Sequence, residues 1–127
     1  VKPEVRMHFT FEPEILGSGG GIWNARFDLM GDKHFAVANG DGVILSPNPQ
    51  LIREMLDFHI WEDALATLLV CPLDGVGLTI PGVWHDRQGR VTHFGKESRG
   101  QTQCHHFASY MFFSDRIWDL LPAGSSN

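Results

Sequence analysis

The sequence predicts an α+β fold: a mostly antiparallel sheet of about six strands, one long helix packed on one face, and a short C-terminal helix. Three observations lead there. Several short runs alternate apolar and polar residues, as half-buried strands do. Asn39-Gly40-Asp41-Gly42 and Asp86-Arg87-Gln88-Gly89-Arg90 carry hairpin chemistry, because Gly and Asn take positive φ at little cost. Between them, residues 49–69 space their apolar side chains by three and four, the helical period. Hairpin signals of this kind do not favour a doubly wound parallel sheet.

Each element follows in order. His8–Glu12 alternates as a strand and stops at Pro13, and Gly17–Gly21 is a loop or wide bend. Ile22–Leu29 is a half-buried strand, with Trp23, Ala25, Phe27 and Leu29 on its dry side. Phe35–Ala38 and Val43–Leu45 flank the Asn-Gly turn. Asn48 is the expected N-cap and Pro49 the first helical residue, a position where a missing N–H costs nothing. Leu51, Ile52, Met55, Leu56, His59 and Ile60 form the buried stripe, and Trp61 to Leu69 continue it until Val70-Cys71-Pro72. One helix of that extent is about 31 Å long, so a kink or break is expected near Asp57–Trp61. Val76–Ile80, Val83–His85 and Val91–Phe94 are strands, the last two joined by a hairpin turn. Gln101–Phe113 is apolar on both faces and belongs in mid-sheet. Ser114–Leu121 is a short amphipathic helix ended by Pro122.

With 127 residues and 43% hydrophobic content, the chain suits a single domain over residues 7–122. Residues 1–6 are expected to be an N-terminal arm or an expression remnant, and 123–127 a disordered tail. No membrane span and no leader are visible in the sequence, so the expected compartment is the cytoplasm.

The formal charge of −5 argues against nucleic-acid binding, which needs a cationic surface. The charge is uneven. Glu54, Asp57, Glu62, Asp63 and Asp74 occur with no Lys or Arg between the first and the last. A solvated helix face usually mixes signs, so this run suggests an acidic patch for a basic partner, with Trp61 as an anchor.

Reactive chemistry is weakly signalled. Seven histidines raise the question of a metal, but paired ligand spacings are absent. Cys104 and His106 share a strand face that His85 or His93 could approach from the neighbouring hairpin. Cys104 as a nucleophile needs a depressed pKa, which its apolar neighbours oppose. Cys71 sits at the wrong end of a helix dipole. Two cysteines do not make a disulfide scaffold. The glycine cluster lacks the Lys-Ser or Lys-Thr that closes a phosphate loop, and the neighbouring carboxylates Glu12/Glu14 and Glu62/Asp63 lack an apolar pocket.

The expected function is therefore that of a small acidic inhibitor, a bacterial immunity-type protein that occludes the active site of a cognate basic nuclease toxin. It is expected to work through Glu54, Asp57, Trp61, Glu62, Asp63 and Asp74 as a monomer or weak dimer, without catalytic residues, metal, cofactor, nucleic acid or membrane. The alternative is a small enzyme or ligand-binding domain with a pocket lined by His85, His93, Cys104 and His106, with or without a metal.

Overall fold

The computed structural model describes residues 4–100 and 103–121, and the expected tail and Pro122 lie outside them. The element order is α1 (Gly17–Asn24), α2 (Arg26–Leu29), β1 (His34–Ala38), α3 (Leu51–Trp61), β2 (Ala66–Cys71), β3 (Gly82–His85), β4 (Val91–Gly95) and β5 (Gln103–Ser114), then a 3₁₀ turn over Asp115–Asp119. This is an α+β architecture with a five-stranded antiparallel sheet, ordered β1-β5-β3-β4, with β2 also pairing β5. No helix among the described residues is long and apolar enough to cross a membrane.

The described chain divides into two units, one of residues up to Phe35 together with those from Phe113, the other of residues from Ala36 to Phe112. In the first, Phe35 is buried, stacked on Trp118 at 4.9 Å between ring centroids and tilted against Phe113 at 5.8 Å. Buried Ile117 completes this small core, and the Asp115 N–H donates to Lys33 O.

The expected strand over 22–29 and the glycine loop before it are helical instead. Four glycines in α1 each cost about 1 kcal/mol relative to alanine, so propensity does not explain this helix. Specific contacts do. A Cβ on Gly21 would sit 3.0 Å from Glu12 Oε1, so the bare backbone admits this carboxylate, whose Oε2 accepts from the Leu16 N–H. The Arg26 guanidinium lies over the rings of both Trp23 and Phe27 and donates to Trp23 O at 2.9 Å. The four-residue spacing of Trp23 and Phe27 thus outweighs the alternation that suggests a strand. His8–Glu12 also belongs to no strand.

In the second unit the helix starts two residues later than expected: Leu51 is its first residue and Gln50 its N-cap, while Pro49 belongs to the preceding turn, in which Asn48 Oδ1 accepts from the Gln50 N–H at 2.9 Å. Met55 and His59 are the buried members of the expected stripe. The long helix does not form. α3 ends after eleven residues because Asp63 adopts φ 45°, the left-handed conformation. The Ala64 N–H then bonds His59 O and the Asp63 N–H bonds Ile60 O, the paired closure of a Schellman motif. Residues 66–71 consequently run as β2. His59 is fully buried between these elements, its Nδ1 2.8 Å from Thr67 Oγ1 and its ring 6.0 Å from that of Phe112.

Val43–Leu45 forms no strand, and Val76–Ile80 closes as a turn with one isolated bridge. The sheet therefore holds five strands in place of about six. The C-terminal helix is a five-residue 3₁₀ turn, too short for α-helical hydrogen bonding to propagate.

The β3–β4 hairpin forms as expected. Asp86 Oδ1 accepts from the Gln88 and Arg90 N–H groups, both at 2.9 Å, while Gly89 takes φ 81°.

Candidate functional site

α3 presents two different faces. Met55 and His59 turn into the core, while Glu54, Asp57, Phe58 and Trp61 recur at spacings of three and four on the opposite, solvent side. Trp61 is 84% exposed and Phe58 51%, so two aromatic rings stand in water among carboxylates. Burying an aromatic side chain is one of the larger gains a protein surface can offer, and leaving Trp61 outside forgoes it.

The acids on this face are not equivalent. Asp57 accepts from Arg53 Nε at 3.3 Å, an exposed pair one helical turn apart and worth little. Arg53 lies one residue before the acidic run, so the face is mixed in sign at that point. Glu54 receives Asn48 Nδ2 at 2.8 Å and sits in the first helical turn, where the dipole favours it. Glu62, the residue after the helix, is exposed, and its carboxylate has no partner among the described residues. Asp63 is exposed at the left-handed position. Asp74 lies beyond the opposite end of β2, so the run of that strand separates it from Asp63. The structure thus gathers Glu54, Asp57, Trp61, Glu62 and Asp63 on one helix and its C-terminal end, and leaves Asp74 apart.

Phe58 and Glu62 also border a groove of about 400 Å³. Its apolar lining includes Leu68, Val70, Val83 and Val91, and Glu62, His85, Gln88 and Arg90 supply polar groups.

The histidines separate by strand register. Trp84 pairs with Cys104 on β5 and with His93 on β4, so these three side chains share one sheet face, and the Trp84 and His93 rings stack at 5.6 Å. His85 is on the other face with His105: His85 Nε2 is 2.8 Å from His105 Nδ1. Asp86 O can only accept, so His85 Nδ1 carries a proton; with both rings neutral, His85 Nε2 then accepts from His105 Nδ1. His106 lines a different groove, beside Ile44, Leu69 and Cys71. Of His85, His93, Cys104 and His106, only His85 borders the groove beside α3. The pairing with His105 was not foreseen, because contiguous Cys104-His105-His106 cannot show which member faces β3 until the register is known.

Cys104 is packed, not presented. Its Sγ lies 3.2 Å from where a Cβ on Gly77 would be, and a Cβ on Gly82 would collide with it. Burial pushes its thiol pKa up, away from the thiolate a nucleophile needs. No group of three or more His, Cys, Asp or Glu able to hold a metal occurs among the described residues.

No protein-family model matches the chain.

Proposed function

We propose that this chain is an acidic binding protein that captures a basic protein partner through the exposed face of α3. The observation that carries this is Trp61, 84% exposed on the side of α3 that also presents Glu54, Asp57 and Phe58, with Glu62 next in the chain. Exposed Trp surrounded by charged residues has the composition of an interface hot spot: the ring supplies most of the affinity once desolvated, and the carboxylates steer a cationic partner in. The groove bordered by Phe58 and Glu62 offers a recess for a partner side chain beside that anchor. In the narrower form of this proposal the partner is a cognate nuclease toxin, whose cationic substrate cleft an acidic helix would occupy, as bacterial immunity proteins do in the cytoplasm.

The test is calorimetric titration of the products of the genes flanking this chain's own with wild type, Trp61→Ala and Glu62→Lys. Asp63 is a poor site for charge reversal, since its left-handed backbone makes any substitution a test of the helix end as well. Saturable binding that both variants lose, with an affinity that falls as salt rises, is the expected result. Equal binding by all three proteins would refute the proposal.

A second reading has its own observation: the His85–His105 pair beside a groove that also holds Arg90 and Glu62 suits a small polar ligand. A ligand bound there would lose affinity on His85→Ala and be indifferent to Trp61→Ala.

A further inference from the structure

The segment before α1 has an unusual surface. Val5, Met7, Phe9 and Phe11 are 82, 73, 87 and 85% exposed, every second residue of a strand-patterned run that belongs to no strand. Polar contacts hold this run against the helices of its own unit. His8 Nδ1 meets Asp28 Oδ1 at 2.9 Å, Asn24 Nδ2 donates to Phe11 O, and Glu12 accepts from the Leu16 N–H. The stripe is thus displayed by an anchored segment, and its backbone N–H groups from Val5 to Phe11 have no hydrogen-bond partner among the described residues.

We propose that residues 5–12 join a second copy of this chain as an antiparallel two-stranded ribbon about a two-fold axis at Phe9. The residue chemistry selects that partner and that register. Successive carbonyls of an extended strand point to opposite edges. Phe11 O is taken by Asn24, so the odd-numbered edge faces its own helices and the even-numbered edge is open. With Phe9 opposite Phe9 as a non-hydrogen-bonded pair, the open edge forms ladder bonds between His8 and Thr10 and between Arg6 and Glu12.

Each consequence is favourable. Arg6 lies opposite Glu12 of the second copy, so at each end of the ribbon a guanidinium approaches a carboxylate that already accepts the Leu16 N–H of its own chain. Met7 meets Phe11, placing apolar beside aromatic on the other face. Pro13 falls on the edge turned away from the second copy, where its missing N–H removes no ladder bond. Anchoring to α1 and α2 lowers the ordering cost that leaves an isolated two-stranded ribbon marginal. The contact is isologous, so it closes at two copies.

Sedimentation equilibrium over a dilution series tests this, using wild type, a Met7→Lys, Phe11→Lys double variant and a Met7→Glu, Phe11→Glu double variant, at exposed side chains outside the contacts that anchor the segment. Wild type is expected to approach twice the 14.2 kDa chain mass as concentration rises. Each variant alone places like charges opposite each other at both Met7–Phe11 positions and is expected to stay at one chain mass. An equimolar mixture of the two places opposite charges at both positions, so the doubled mass should return. Circular dichroism of each variant confirms that it is folded. A wild type that remains at one chain mass, a mass that climbs beyond two copies, or variants that dimerise as wild type does would overturn the proposal. A mixture that fails to dimerise would overturn the register.

Discussion

Removing the His59 ring should cost the second unit a large part of its stability, and the size can be worked out from its surroundings. His59 has no exposed surface, packs its ring on Phe112 and pairs with Thr67 Oγ1 at 2.8 Å. His59→Ala removes a ring from a site closed on all sides, an aromatic-to-alanine change of about 3 kcal/mol. It also strands Thr67, adding about 1 kcal/mol for a half-buried hydroxyl. Thr67→Val keeps the side-chain volume and deletes only the hydrogen bond, for about 1 kcal/mol. The double variant should then cost less than the sum of the singles by about 1 kcal/mol, because the shared bond is lost only once. Urea unfolding followed by circular dichroism measures all four proteins. A His59→Ala cost below about 1 kcal/mol, or single-variant costs that simply add, would show that His59 is not the polar centre of the α3–β2 packing.

Other outcomes follow from single sites. Asp63→Gly should stabilise by about 1 kcal/mol in the same urea assay, since glycine takes φ 45° without a Cβ clash; a loss would mean that the Asp63 side chain matters more than its backbone. Trp61→Ala should leave the urea midpoint nearly unchanged and weaken partner binding by roughly 30-fold; coupled losses would make Trp61 structural. Cys104 should alkylate more slowly than a free thiol near neutral pH, as its pKa is raised by burial. For that same group, stability is fully present below the unfolded thiol pKa and should be lost as pH climbs through the folded value. Urea midpoints that rise over that alkaline range in wild type, relative to Cys104→Ala, would contradict the assignment.

Where structure follows from neighbours in sequence, it was legible. The β3–β4 hairpin could be seen because Asp86 and Gly89 supply both the side-chain acceptor and the positive φ that the turn requires. β5 showed as apolar on both faces, and α3 showed in the stripe that buries Met55 and His59, with its start set two residues too early at Pro49. The helix end did not show, because the left-handed stop falls on Asp63 where glycine is the usual marker, and Ala64 to Leu69 happen to continue a helical period. The first thirty residues misled for the opposite reason. Their glycines and alternating aromatics suit turn and strand, while the forces that make α1 and α2 are particular contacts of Glu12 and Arg26. On the candidate site, the acidic run and Trp61 stand out in composition alone, and the structure places Glu54, Asp57 and Trp61 on the exposed side of α3 with Glu62 and Asp63 just after it. The distance of Asp74 from that group, and the choice of His105 over His106 as the partner of His85, are set by strand length and register, which no local pattern encodes.

Hydrogen–deuterium exchange on a complex with the proposed basic partner tests the proposed role of α3 most directly. Slowed exchange at the C-terminal half of α3 and through Glu62, with the β3–β4 turn following if a partner side chain enters the groove, is the expected footprint. A complex in which those amides exchange as they do in the free protein, with protection elsewhere, would contradict it.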